Sequence, residues 1–156
     1  MRHARILRSR SDRVLRARGR FAYVTHRSLL VLTACACAAS DIGYKLGTRA
    51  DYHHVRSPAA ALAMAVFVVA LVALVPRFPS RTAQVGAGIA AGGALGNLVS
   101  VLAWSQGVPD PIVWEGATRG VAFNLADVFA LLGDALLLSA VAVYALRHRG
   151  ELHTRV

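Results

Sequence analysis

The chain has 156 residues, which is enough for one compact unit and too few for two ordinary domains. Hydrophobic residues make up 56% of it and its mean hydropathy is +0.48, more apolar surface than a soluble domain of this length can bury. The net charge of +10 is concentrated in nine arginines between Arg2 and Arg27, a segment without aromatic platforms or a base-reading motif. This composition argues against a soluble protein and against nucleic acid as a partner. It predicts an integral membrane protein whose basic arm contacts anionic lipid headgroups.

Four apolar segments follow the basic arm of residues 1–27, and each is close to the roughly 20 residues that a helix needs to cross the hydrocarbon layer. The predicted membrane domain is 28–146, with spans at residues 28–44, 59–75, 82–104 and 121–146. A proline-bracketed turn ends the second span, and residues 147–156 form a tail. The predicted fold class is therefore all-α, a four-helix transmembrane bundle. The arm itself fits either a short amphipathic helix on the membrane surface or a disordered segment.

Arginine orients the predicted bundle, because cytoplasmic segments of membrane proteins carry an excess of Lys and Arg. The basic arm, the turn that holds Arg77 and Arg81, and the arginine-containing tail are all assigned to the cytoplasm on this basis. Four spans put these three regions on one side, so both chain termini are predicted to be cytoplasmic. The polar loops of residues 45–58 and 105–120 are then extracytoplasmic.

The cysteines and histidines do not form a convincing metal site. Cys35 and Cys37 have no second ligand pair, so they are predicted to be small apolar residues at a helix interface. Residues 32–35 resemble a lipobox, but the apolar run before Cys35 is only about seven residues long and continues beyond it, which favours a span. His53, His54 and an aspartate could hold a metal, yet the other histidines lie in the arm or the tail. No metal or cofactor is predicted.

Four of the eight acidic residues lie within the predicted spans or at their edges: Asp41, Asp110, Asp127 and Asp134. An ionisable group inside a span costs roughly 2.5–3.5 kcal/mol on insertion scales, so each is a functional candidate. The predicted topology brings carboxylates and amides from four chain segments to the outer face, namely Asp41, Asn97, Asp110, Asn124 and Asp127. Asp134 lies two turns beyond Asp127 and deeper, where it is predicted to be a buried hydrogen-bonding partner.

Two carboxylates in a low-dielectric site do not both ionise readily, so one is expected to be charged and the other protonated. The charged group can take a proton from water while the protonated group polarises a carbonyl. Direct hydrolysis of a peptide by water, without a covalent intermediate, requires this pair of roles. Asn124 and Asp127 also fit a simpler interpretation, in which they cap the fourth helix and meet its dipole.

Three motifs lie near the outer ends of the spans: Asp41-x-x-x-Lys45, the run Gly92-Gly93-Ala94-Leu95-Gly96-Asn97-Leu98, and Phe123-Asn124-Leu125-Ala126-Asp127 with Gly133 six residues further on. Their order and the four-span layout, over about residues 28–147, resemble the lipoprotein signal peptidase (signal peptidase II) family. The first motif is similar to that family's D-x-x-[ST]-K element, with Tyr44 in place of the hydroxyl residue.

The resemblance implies a membrane aspartic endopeptidase that removes signal peptides from lipid-modified prolipoproteins. It implies a bacterial cell membrane protein whose site faces the extracytoplasmic side and needs no cofactor. The catalytic pair maps onto Asp110 and Asp127. The substrate-binding or site-shaping positions map onto Asn97, Asn124, Asp41 and Lys45.

The sequence departs from the family's pattern in three places. Ser100-Val101 stands where the family has Asp-Arg, the Asp110 element is Pro109-Asp110-Pro111 instead of V-V-D-F, and Arg56 begins the stretch that replaces N-x-G-A-A-F. The loop after the first span is also expected to be too short to form the family's usual extracytoplasmic sheet. These departures keep open a catalytically silent homologue that binds lipidated peptides or a membrane partner. A scaffold or transporter-like protein with purely structural aspartates is a weaker alternative.

Overall fold

The computed structural model describes residues 2–115 and 120–149, with side chains described from Thr25 onward. The described residues form four α-helices and four short strands, in the order α1 (Arg2–Gly47), β1 (Tyr52–His54), α2 (Pro58–Leu74), α3 (Arg81–Ala103), β2 (Val108–Asp110), β3 (Ile112–Glu115), β4 (Gly120–Phe123) and α4 (Leu125–Arg147). Four helical stretches are long and apolar enough to cross a membrane, at Thr25–Gly47, Pro58–Arg77, Arg81–Ala103 and Leu125–Arg147. The predicted all-α membrane bundle is confirmed.

Two helix boundaries differ from the predicted spans. α1 is one continuous helix from Arg2, so the basic arm is helical and runs directly into the first span. α4 begins at Leu125 and not near residue 121, because residues 120–123 form β4. That strand is as apolar as a helix end, and hydropathy alone does not separate the two.

Serine caps fix the starts of the second and third helices. The Ser57 hydroxyl accepts a hydrogen bond from the Ala60 N–H, and Ser80 does the same for Ala83, each at 3.2 Å. Near the start of α3 the Gln84 side chain is buried and donates to the carbonyls of Val75 and Phe78, which lie between the two helices, at 3.0 and 2.7 Å. The predicted proline turn is therefore tied back onto α3.

The third helix lies at the centre of the bundle. Of its most apolar window 61% is buried inside the protein, against 22% or less in the other three spans. Adjacent glycines let neighbours approach on two sides: a Cβ on Gly92 would lie 2.7 Å from the Ala34 carbonyl of α1, and one on Gly93 would lie 2.4 Å from the Ala126 carbonyl of α4. The packing of α1 and α4 thus depends on the small residues of α3.

Two small antiparallel sheets lie beyond the ends of the spans. β1 pairs with β2 and β3 pairs with β4. In the first sheet Tyr52 is opposite Asp110 and His54 is opposite Val108, so these side chains share one face, while His53 and Pro109 share the other. The loop after the first span is short, yet three of its residues pair with β2.

Candidate active site

The start of α4 is built by a capping box. Asn124 is the N-cap residue, and its Oδ1 accepts a hydrogen bond from the Asp127 N–H at 3.2 Å. Asp127 Oδ2 accepts one in return from the Asn124 N–H, also at 3.2 Å. The capping interpretation of these two residues is therefore confirmed. These residues make further contacts, because the nitrogen of the Asn124 side-chain amide also donates a hydrogen bond.

That second hydrogen bond goes to Asp110. Asn124 Nδ2 donates to Asp110 Oδ1 at 2.6 Å, and both residues are fully buried. Asp110 Oδ2 contacts Nδ1 of His54, which lies in the paired strand β1 with its side chain on the same face of the sheet. A Cβ on Gly107, whose φ is +106°, would lie 2.6 Å from the His54 carbonyl, so glycine is needed where β2 begins beside β1. One side chain, that of Asn124, thus contacts both aspartates that the resemblance maps as the catalytic pair.

Asp127 is the more accessible of the two carboxylates. Its side chain is 33% exposed, whereas that of Asp110 is 1% exposed. Asp127 Oδ1 accepts a hydrogen bond from Asn97 Nδ2 at 2.9 Å and lies 3.5 Å from Arg56 Nη2. The site therefore combines one buried carboxylate with one that water can reach.

The buried ion pair of Lys45 and Asp41 is hydrogen-bonded to Asn97. Lys45 Nζ donates to Asp41 Oδ2 at 2.7 Å, to Ser100 Oγ at 3.0 Å and to Asn97 Oδ1 at 3.2 Å. Because the carbonyl end of the Asn97 amide faces Lys45, its N–H end faces Asp127. Ser100, which stands where the resembled family has an acid, accepts from the lysine as a neutral hydroxyl.

Asp41 connects the same network to α4. Its Oδ1 accepts the Ala126 N–H at 2.9 Å, a backbone donor in the first turn of that helix. Asp41 and Lys45 are both buried, so their charges are neutralised by each other and by these neighbours. Three helices are joined at one level by this pair.

All six residues predicted for the site lie in one continuous hydrogen-bond network. The order is Asp41, Lys45, Asn97, Asp127, Asn124 and Asp110. Asp134 is outside it: the residue is half-buried and makes no side-chain hydrogen bond to any residue that the structure describes, so the prediction of a buried partner is wrong.

Two residues in contact with the aspartates were not predicted for this role. The sequence indicates His54 only as a candidate metal ligand, and within the described residues no group of three His, Cys, Asp or Glu is placed to hold a metal ion. The sequence indicates Arg56 only as a departure from a family motif. His54 lies in β1, which pairs with the strand that carries Asp110, and Arg56 follows two residues later.

Comparison with known families agrees with this architecture. The model of the family described as Signal peptidase (SPase) II matches residues 30–143, a range that reaches into all four helices and includes both sheets. A search of curated proteins finds no match. Since the family match covers well over half of the sequence, the chain belongs to the signal peptidase II family of membrane proteases.

Proposed function

We propose that this protein is an aspartic endopeptidase that removes signal peptides from lipid-modified bacterial prolipoproteins, with Asp110 and Asp127 as its catalytic pair. The observation that carries the proposal is the contact of both aspartates with the single residue Asn124. Asn124 binds the Asp110 carboxylate through its side-chain amide and the Asp127 carboxylate through its backbone N–H, so their relative position is fixed before substrate arrives. Such preorganisation is what catalysis by positioned groups requires.

The proposed reaction needs only water and the two carboxyl groups. A charged aspartate takes a proton from water, whose oxygen forms a bond to the scissile carbonyl carbon, while the protonated aspartate gives its proton to the carbonyl oxygen. The C–N bond then breaks, the leaving amine takes the proton gained from water, and the new carboxyl group returns the other proton. The partial exposure of Asp127 supports access for the attacking water.

The location of the site supports a lipid-bound substrate. The carboxylates lie where β2 ends and α4 begins, at the level of the short sheets, next to helices that are apolar enough for the bilayer. A peptide attached to lipid can reach this level while its acyl chains stay in the membrane, so membrane lipid is a partner of the reaction. Together with the arginine distribution, this supports a bacterial cell membrane protein with cytoplasmic termini and an extracytoplasmic site.

A specific observation also favours a catalytically silent homologue that binds lipidated peptides or a membrane partner. Both oxygens of Asp110 have partners, Asn124 on one side and His54 on the other. Pro109 and Pro111 restrict the backbone around it, which limits how far the carboxyl group can turn. In this second function the groove between the helices would hold the peptide without cutting it.

The deciding experiment is cleavage of a lipidated prolipoprotein by the purified protein in detergent, with Asp110→Asn and Asp127→Asn beside the unmutated protein. Asp51→Asn is the matched control, because Asp51 is an exposed carboxylate in the loop before β1. General acid–base catalysis contributes about 10²–10⁴ in rate, so each site variant should lose at least about 100-fold while the control keeps full activity.

A binding assay with a fluorescent lipopeptide separates the remaining outcomes. Binding without cleavage by the unmutated protein would establish the silent homologue. Neither binding nor cleavage by a folded sample would contradict both functions and favour a scaffold in which the aspartates are purely structural.

A further inference from the structure

His54 lies between bulk water and the buried carboxylate of Asp110. Its side chain is 63% exposed, that of Asp110 is 1% exposed, and the two are in direct contact through Nδ1 and Oδ2. The other oxygen of Asp110 is held by the buried amide of Asn124. Among the described residues, His54 is thus the solvent-exposed side chain that contacts this buried carboxyl group.

The partners of the two aspartates differ in whether they can accept a proton, and this difference decides where a proton can be held. Asp127 is faced by the Asn97 amide, the Asn124 backbone N–H and the Arg56 guanidinium. All three are donors and none can accept a proton, so none of them can share a proton with Asp127. The start of α4 adds a favourable dipole at the same place.

Asp110 has only one side-chain partner that acts solely as a hydrogen-bond donor. Asn124 Nδ2 donates to one oxygen, while the imidazole of His54 on the other can either donate or accept. One proton can therefore be held between Asp110 and His54, on the nitrogen or on the oxygen, without leaving either group unpartnered.

We propose that the exchangeable proton of this site is held between Asp110 and His54 rather than between the two aspartates. This inference rests on the proposed peptidase function and assigns its roles: Asp127 takes the proton from water, and Asp110 gives the shared proton to the carbonyl oxygen. His54 is a positioning residue in this scheme, because it acts on the substrate only through Asp110.

The charged and titratable groups around this contact come from several elements. Arg56 follows β1, Asp127 lies in α4 beside Asn124, and the Tyr52 phenol is on the same strand face opposite Asp110. The Lys45 charge reaches the site only through Asn97. None of these four residues forms an ion pair or a side-chain hydrogen bond with Asp110, so among the described residues His54 is the basic side chain in direct contact with this carboxyl group.

The first test is the pH dependence of kcat/KM for a lipidated substrate in His54→Asn. An asparagine Nδ2 can donate where His54 Nδ1 does, but it carries no proton that titrates. Activity needs the shared proton, so it is lost as pH rises past the point where the pair releases it. In His54→Asn the carboxyl group holds this proton alone, so the alkaline limb of the profile should move to lower pH.

The expected result in His54→Asn is therefore a loss of kcat/KM near neutral pH that is recovered on acidification. His53→Asn is the control, since His53 is on the same strand with its side chain on the opposite face. Its profile should match that of the unmutated protein. An unchanged alkaline limb in His54→Asn, or an equal change in both variants, would overturn the proposal.

The second test does not depend on catalysis, so it separates failure of this inference from failure of the peptidase function. Solid-state NMR of histidine-labelled protein in bilayers should show a strongly downfield imidazole N–H signal. That signal should be absent in His54→Asn and Asp110→Asn but present in His53→Asn and Asp127→Asn. No such signal, or one that survives Asp110→Asn, would refute the shared proton even if the enzyme is active. The signal in an inactive protein would uphold the shared proton and reject the catalytic roles.

Discussion

Replacing the buried Lys45 by methionine should lower the free energy of unfolding of the bundle more than the replacement of any single exposed residue. Methionine keeps most of the aliphatic length of lysine, so the variant removes the charge and its hydrogen bonds with little change in packing. Lys45 Nζ is bonded to Asp41, Asn97 and Ser100 at 2.7–3.2 Å, and its side chain has no exposed surface. The change leaves the Asp41 carboxylate buried with the Ala126 N–H as its remaining donor.

The size of the effect follows from which cost dominates. Two of these three hydrogen bonds join α1 to α3, and hydrogen bonds between helices in a membrane contribute about 0.6–2 kcal/mol each. Breaking a buried ion pair by removing one partner typically costs about 3–5 kcal/mol, because a charge stays buried without its counterion. We expect this larger value for Lys45→Met, which corresponds to a roughly hundredfold to several-thousandfold loss in the folding equilibrium.

The assay is unfolding in mixed detergent micelles at increasing SDS, followed by helical circular dichroism. Arg49→Met is the control, because Arg49 is an exposed cation four residues further along the chain and should change stability by no more than about 0.5 kcal/mol. The double variant Asp41→Asn/Lys45→Met removes both charges, so it should be more stable than the sum of the two single changes predicts, by about 2 kcal/mol.

Two results would refute this reasoning. A loss below about 1 kcal/mol in Lys45→Met would mean that Asp41 gains protons or water at little cost and that the pair is not buried as described. Strict additivity in the double variant would mean that the two side chains do not interact.

Two further predictions concern α4 and the outer edge of the site. Gly133→Ala should cost about 1–3 kcal/mol in the same assay, because its Cβ would lie 2.2 Å from a backbone nitrogen of α3; Gly43→Ala, with nothing within 4 Å, should be neutral or slightly stabilising, and equal effects would contradict this packing. Arg56→Gln should lower kcat/KM by up to about fivefold, a modest effect because Arg56 and Asp127 are 31% and 33% exposed and solvent screens their attraction. Arg49→Gln should leave kcat/KM unchanged, and the same loss in both variants would point to a general effect of charge.

The fold and most of the site were predictable because their signals are local or follow from helix length. Apolar runs near 20 residues give the spans, and their topology brings Asp41 and Asn97 to the same level as the start of α4. The Asn124 to Asp127 spacing is a capping signal that can be read within four residues. The same capping signal also indicates that α4 begins at Leu125, whereas the apolar run alone predicts residue 121.

The contacts of His54 and Arg56 could not be predicted in this way. β1 has three residues, too few for a visible alternation of polar and apolar side chains, and it pairs with a strand whose Asp110 lies 56 residues after His54. Such pairing depends on where the ends of separate helices meet. The length of the loop after the first span therefore does not reveal the sheet that it forms with β2.

Each aspartate is held from two sides, by an amide from within the bundle and by a basic side chain from the β1 side. Asn124 and His54 hold Asp110, while Asn97 and Arg56 hold Asp127. The amides belong to the network that joins α1, α3 and α4, whereas both basic side chains come from one short segment outside it. Changes to the inner network should therefore lower the free energy of unfolding and the activity together. Changes to residues 54–56 should alter turnover and its pH dependence while the bundle stays folded, because the amides alone keep both carboxylates in place.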